Sequence, residues 1–437
     1  DPRREPRSSA ALPLMTSAAG AEALLAEVRV GSTTKGFPTI ADPVPLLEAG
    51  GQGWTFADLV PPVLVLRRTA LEHNVRLMAG YCGQHGVSIA PHAKTTMAPQ
   101  LWWKQLDAGG WGMSAAGATQ ARVLRAAGVR RVLLANELTD PGSLRWAAAD
   151  IAEETTELVC LVDSTRGVAL LEEGVRDSRE DRPLSVLVEL GHRAGRTGCR
   201  SLPEAIEVAR AVERSKLLDL AGVAGYEGTI AHDRSPASLG QVEAFLDDLG
   251  GLAMRLLEEG AFAREPIVTA GGSLFFDLVV DRLAGGGSGP STVLLRCGSY
   301  LIHDSGPDAR SSPFANEPLE RRFHPTLEAW GAVLSTPERG LALVGLGRRD
   351  VPFDRGYPTP TLVRRAGGEV VRIDGRIEIT SLDDQHAYCR VGSGVSLRVG
   401  DLLMCGISHP CSALDRWRVL PVLDDGDRVV DAIATFF

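Results

Sequence analysis

The residues able to do chemistry fall into five short clusters. Pro91-His92-Ala93-Lys94-Thr95 follows an apolar, β-branched run at 87–90. A lysine at the carboxyl end of an early barrel strand points into the mouth where such enzymes keep their chemistry. Desolvated there, its ammonium loses a proton readily and the amine can form a Schiff base. Glu189-Leu190-Gly191 and then Gly195-Arg196-Thr197-Gly198 end another apolar run. Glycines permit close backbone approach, and Arg196 would meet an anionic ligand oxygen. Thr269-Ala270-Gly271-Gly272-Ser273 and Arg296-Cys297-Gly298-Ser299-Tyr300 end the last two runs. Backbone N–H groups and hydroxyls at such positions bind anions, and the pair suggests one phosphate held between them. Ordinary turn chemistry is the competing reading of either cluster alone.

The fifth cluster is His409-Pro410-Cys411. Pro410 biases His409 toward an extended conformation, so a spacing of two puts imidazole and thiolate on one side. Both are zinc ligands, and two protein donors leave open positions for a substrate. A buried cysteine beside a packed histidine is the more frequent meaning of an isolated His-x-Cys. Asp384-Gln385-His386 could bring another polar group to the same place.

Positioning these clusters requires a repeated strand–helix unit. From about 61 to 300, short β-branched runs alternate with amphipathic stretches. Counted from Val87 to Val293, the runs number eight, which closes a (β/α)8 barrel. An open doubly wound sheet is the alternative, although no Gly-x-Gly-x-x-Gly follows the first strand. One helix begins Ser201-Leu202-Pro203-Glu204, a capping-box pattern, and another carries Val242, Phe245, Leu249, Leu252 and Leu256 up to Gly260. Past about 320 the texture becomes β-rich. Runs at 370–373 and 376–380 flank Asp374-Gly375, a hairpin signal, and further runs follow at 387–391 and 395–399. The predicted domains are a leader at 1–24 without structure, a barrel at 61–304, and a β-rich domain from 25–60 and 319–437. A linker is expected at 305–318.

The chain has 437 residues and a net charge of −9, with 44 % apolar and 23 % charged residues. An acidic balance argues against a nucleic-acid binder, which needs a basic face for phosphates. Seven cysteines, an odd number spread over a long chain, do not form a disulfide framework, and a reduced cytoplasmic setting fits better. No run of about 18 apolar residues exists, so no membrane-spanning helix is expected. A small-molecule enzyme is the class left standing.

Taken in order, His92-Ala93-Lys94-Thr95, Gly191 with Arg196-Thr197-Gly198, Tyr226-Glu227-Gly228, Gly271-Gly272-Ser273, Gly298-Ser299-Tyr300 and His409-Pro410-Cys411 resemble the fold-type III pyridoxal-phosphate enzymes. The similar branch is the D-serine dehydratase and D-threonine aldolase-like group. The resemblance runs from about residue 60 to the C-terminus. It implies an alanine-racemase-like barrel, a C-terminal β-domain, and a homodimer with active sites near its interface. It further implies that Lys94 carries pyridoxal phosphate, with His92 and Tyr300 in the motifs that surround it. Gly271, Gly272, Ser273, Gly298 and Ser299 would hold the phosphate. Arg196 would sit near the phenolic oxygen and Tyr226 near the ring nitrogen. His409 and Cys411 would bind zinc, with manganese or magnesium as other candidates, and aldolases of the group tend to show His-x-Asp instead. The chain departs from the common pattern in its longer turn between Gly191 and Arg196, and in Arg296, where many relatives have an acidic residue.

The expected reaction is dehydration of a D-configured β-hydroxy amino acid, such as D-serine or D-threonine, to a keto acid and ammonia. Alternatives are a D-threonine-type aldolase, a racemase or epimerase, and a non-catalytic regulatory protein that carries the cofactor.

Overall fold

The computed structural model describes residues 19–176, 182–284, 289, 291–373 and 375–437. Eight parallel strands run Ser88–Ile89, Met113–Ala115, Arg131–Glu137, Glu157–Val162, Leu184–Leu190, Leu218–Gly225, Ile267–Ala270 and Thr292–Leu295. Each pairs with its sequence neighbour from the second onward, and the first pairs with the last. The remaining seam, between first and second strands, is stitched by a His92–Ser114 bridge and by Trp111 N–H donating to Ile89 O at 2.8 Å. The eight runs counted in the sequence are these strands. Their inward side chains, Ala90, Leu133, Val159, Leu161, Leu187, Ala221, Ala224, Ile267 and Leu294, pack into a core of their own. This filled centre leaves only the strand ends for a site.

The intervening helices start where local chemistry says they should. Asp140, Ser164, Ser201 and Ser235 accept from backbone N–H groups three residues on. At Ser201 the reciprocal half of the predicted capping box shifts by one residue, because Glu204 Oε2 accepts from Arg200 N–H at 2.7 Å. Helix Pro236–Glu258 buries Val242, Phe245, Leu249, Leu252 and Leu256 and ends at Gly260, whose φ is +72°.

A ten-stranded antiparallel-rich assembly forms the second body. Its long strand Leu327–Glu338 pairs with Val63–Arg67, Leu341–Val344 and Leu402–Gly406. Residues 63–67 therefore belong to the β-domain, although the 61–304 boundary gives them to the barrel. Segment 25–60 packs on this body, with Leu46 and Ala49 against Val419 and Ala432. Lys35 Nζ lies 2.5 Å from Asp350 and over the Trp417 ring.

Four expectations are corrected. Of the leader, Ala19–Ala26 is helix with Ala21 and Leu25 buried; residues 1–18 lie outside the described residues. The 305–318 segment is tied down: Phe314 stacks edge-on with Tyr81 and Phe276 and tilts against Phe323. Strands Val370–Arg372 and Ile377–Leu382 do not form a hairpin with each other. Val370–Arg372 returns along Thr359–Arg364, whereas Ile377–Leu382 pairs with Ala387–Val391. Gly375, at φ +77°, turns the chain from one strand pair to the other; Asp374 lies outside the described residues. The run at 395–399 forms no strand, and the ladder resumes at Leu402.

Gly222, at φ +149°, lies where a Cβ would meet Ile267 O at 1.9 Å. Gly222→Ala should therefore force neighbouring barrel strands apart and cost about 2–5 kcal/mol. Its urea midpoint, compared with that of an alanine at the open Gly240, checks this.

Candidate active site

The carboxyl ends of the barrel strands surround a cavity of about 240 Å³. His92, Lys94 and Thr95 enter it from the turn after the first strand, Glu189 from the end of the fifth strand, and Gly191, His192, Arg196 and Thr197 from the turn beyond it. Tyr226, Gly271, Gly272, Ser273, Arg296, Gly298 and Ser299 close the other side. Cys411 alone comes from the β-domain. No single stretch of chain could build this mouth; the parallel order does so by bringing all eight strand ends to one face.

Lys94 is placed as the sequence suggests. Burial lowers its pKa, helped by the nearby positive charges of Arg196 and Arg296, while Cys411 opposes the shift. His92 is held neutral well below its ordinary range by burial and by the charge of Lys94. Its Nδ1 is buried without a hydrogen-bond partner among the described residues. The long turn at 191–198 is folded back by Arg200, whose guanidinium donates to the carbonyls of Thr197 and Gly198 at 2.8 and 2.7 Å. Arg196 is thereby delivered to the cavity despite the extra residues, 5.1 Å from the Tyr226 ring centroid.

The glycine-rich ends meet as expected, with one refinement. Ser273 Oγ and Ser299 Oγ lie 2.5 Å apart at the cavity wall. Gly298 sits against His92, where a Cβ would fall 2.5 Å from its carbonyl oxygen, so no larger residue fits. The N–H groups of Gly271 and Gly272, however, donate to the fully buried carboxylate of Glu227, the former at 3.0 Å. Glu227 thus shapes this loop, and the serine hydroxyls are the groups it leaves facing the cavity. Tyr300 is not brought to the cavity. Its hydroxyl accepts from Gln105 Nε2 at 2.9 Å and its ring packs beside Phe323, behind the cradle.

Arg296 is fully enclosed and donates to Gly225 O, with Glu189 and Glu227 supplying the opposing charge. Glu189 in turn abuts Glu137, and three oxygens of this pair have no donor among the described residues. Burial first, and the Glu189 charge second, push the Glu137 carboxyl up to about 8. One shared proton satisfies such a pair. Glu189 opens the 189–198 cluster near the end of the fifth barrel strand, whereas Glu137, which ends the third, stands out by no spacing.

On the β-domain side, the turn at 410–412 packs on the turn at 93–95, with Cys411 Sγ 3.6 Å from Thr95 Oγ1. Of the seven cysteines Cys411 alone is not fully buried. Its contact with His409 raises the imidazole pKa, burial opposes, and Asp354 adds to the rise through a 2.6 Å bond at Nδ1. Asp384 and His386 do not reach this place. Asp384 instead lies 3.6 Å from Arg349 on an exposed turn. Asp354 does reach it, and nothing in its loop sequence marks it, since the two positions are 55 residues apart.

These residues fit the groups expected of them. The Lys94 amine, the Arg196 and Arg296 guanidiniums, the His92 nitrogen and the paired serine hydroxyls suit an anionic, aromatic cofactor such as pyridoxal phosphate. An imidazole and a thiol side by side are donors for a borderline-soft divalent metal. Among the described residues no third histidine, cysteine or carboxylate completes a cluster of metal-ligand type. No helix among them is long and apolar enough to cross a membrane.

Comparison with known proteins agrees with this anatomy. Residues 66–273 match the alanine racemase N-terminal domain, and residues 326–423 match a putative serine dehydratase domain. The chain is 25 % identical to a D-threonine aldolase of Arthrobacter sp over 84 % of its length and 89 % of that protein. It is 26 % identical to a 3-hydroxy-D-aspartate aldolase of Paracoccus denitrificans over 84 % and 90 %. Its fold matches D-threo-3-hydroxyaspartate dehydratase from Delftia sp. HT23 with a TM-score of 0.71 at 19 % identity, covering 87 % and 99 % of the two chains. It also matches a variant of that dehydratase in a metal-free form, with a TM-score of 0.70 at 19 % identity over 88 % and 99 %.

The raised Glu137 carboxyl makes stability depend on pH. A carboxyl whose folded pKa is raised keeps its proton in the folded state after the unfolded chain has lost it, so stability falls as pH rises between the two values. Denaturant midpoints between about pH 5 and about pH 8 should fall for the native chain relative to Glu137→Gln. Parallel curves would mean that the pair holds no extra proton.

Proposed function

The chain belongs to the fold-type III pyridoxal-phosphate enzymes of the D-serine dehydratase and D-threonine aldolase group, and we propose that, as a lyase of D-configured β-hydroxy amino acids, it is a dehydratase. D-serine or D-threonine would lose water, and the enamine so formed would take up water as it hydrolyses, releasing ammonia and leaving a 2-keto acid. The observation that carries this reading is Cys411. It stands at the cavity over the Lys94 turn, paired with His409, where the group's aldolases tend to have His-x-Asp.

Lys94, Arg196, Ser273 and Ser299 would hold pyridoxal phosphate, and His92 and Tyr226 would flank it. When bound, that cofactor supplies an electron-withdrawing ring that stabilises negative charge at the substrate α-carbon. A divalent metal at His409 and Cys411, zinc in this reading, would supply Lewis acidity to a β-hydroxyl. The metal-free dehydratase variant among the structural relatives supports a metal in the group.

The chain's own residues then have defined tasks. With its pKa lowered by burial, Lys94 can hold a free amine, and Nζ is the base that takes the α-proton. The positive charges of Arg196 and Arg296 add to the lowering that burial causes. Arg196, stacked on Tyr226, carries its fixed charge to the wall of the cavity, where it can orient an anionic group. Thr95 and Cys411 close the side of the cavity at Lys94.

A retro-aldol reading is favoured by the relatives from Arthrobacter sp and Paracoccus denitrificans, both aldolases. One assay separates the two. D-threonine should yield 2-oxobutanoate and ammonia; glycine and acetaldehyde as the main products would overturn dehydration. Lys94→Ala should abolish product formation together with the cofactor's visible absorbance band. An adduct that borohydride still fixes would place the attachment on another lysine. Treatment with a chelator should stop elimination, and zinc should restore it; full activity in metal-free protein would remove His409 and Cys411 from the reaction.

A further inference from the structure

The turn that carries His409 and Cys411 is gripped from outside the cavity by one carboxylate. Asp354 lies in the loop between strands Leu341–Val344 and Thr359–Arg364. Its Oδ2 accepts from His409 Nδ1 at 2.6 Å, and its Oδ1 accepts from Ser412 Oγ at 3.2 Å. The two oxygens therefore hold the turn on both sides of Cys411. A carboxylate can only accept there, so Nδ1 carries a proton, and in the neutral ring that leaves the lone pair on Nε2. The imidazole is 21 % exposed while the Asp354 side chain is 52 % exposed. The carboxylate thus covers the solvent side of the ring and leaves the other edge to Cys411.

An exposed ion pair of this kind contributes little to stability by itself. Its geometry nevertheless does something a surface pair does not: it fixes both the tautomer and the ring plane of one residue. We propose that Asp354 is the positioning residue of the metal centre, orienting His409 so that Nε2 and Cys411 Sγ face a single divalent ion. Carboxylates that accept from the outer nitrogen of a ligating histidine also raise its basicity, and losing them costs about 10–100-fold in metal affinity. This inference rests on the reading of His409 and Cys411 as the metal donors.

The test uses the cofactor-loaded protein stripped of metal. Zn²⁺ affinity is measured in competition with a chromogenic chelator, and the visible spectrum is recorded after Co²⁺ is added. Asp354→Ala should bind Zn²⁺ about 10–100-fold more weakly and shift the Co²⁺ spectrum, with the cofactor band and melting temperature unchanged. Asp354→Asn, which keeps an oxygen able to accept from Nδ1, should recover some of the loss. Wild-type Zn²⁺ affinity and Co²⁺ spectrum in Asp354→Ala, with metal lost in His409→Ala, would overturn the role of Asp354 alone. Weakened binding that comes only with a collapsed melting temperature in both Asp354 variants would make it structural and overturn the inference too. Metal retained in both His409→Ala and Cys411→Ala would instead remove the donor pair on which it rests.

Discussion

The molecule is organised around one electrostatic constraint, the gathering of positive charge in a place poor in water. Lys94, Arg196 and Arg296 converge on the barrel mouth around His92; Arg296 is entirely enclosed and Lys94 half-buried, whereas Arg196 stands at the exposed rim. Buried charges persist only where they are paired or where a ligand will pair them. Glu227 and Glu189 answer Arg296, and Glu227 spends its two oxygens on the N–H groups of Gly271 and Gly272. Lys94 and Arg196 have no carboxylate partner among the described residues. That imbalance makes the cavity receptive to an anion, and together with burial it lowers the pKa of the lysine.

Neither body can complete the site alone. The barrel supplies the lysine and the anion cradle, while the β-domain lowers a single turn onto the lysine and brings a thiol and an imidazole with it. The contact depends on how the domains are laced together. Strand Val63–Arg67 leaves the β-domain just before the helix that precedes the first barrel strand, and Leu327–Glu338 re-enters beside it after the last. Arg67 binds Glu328 through two bonds of 2.9 and 2.8 Å across this seam and also reaches Asp427. Any slip in that pairing would carry Cys411 away from Thr95.

Legibility differed by kind of interaction. The eight barrel strands were readable because burial on both faces gives each an unbroken apolar run, and runs need no knowledge of their partners. The motif residues were readable because glycine, lysine and histidine at strand ends have few structural uses. Strand pairing in the β-domain was not: Asp374-Gly375 has the form of a hairpin turn, yet its flanking strands found partners elsewhere. Local turn preference amounts to a fraction of what two full ladders contribute, so the ladders decide. Tyr300 shows the same limit at a single position. Its place beside the cradle was evident in sequence, but the direction of its ring follows from the space that Phe323 and Gln105 leave.

By itself, then, the sequence determined the barrel, the β-rich second body, the lysine and the composition of the cradle, since these depend on residue type and periodicity along the chain. The tertiary structure alone decided which groups face one another. It gave Glu227 to the glycine loop, paired Glu137 with Glu189, and set Asp354 behind His409. Such contacts join residues tens of positions apart on separate strands and loops. Hydrogen bonds and shared protons act over a few ångströms of space and carry no signature along the chain.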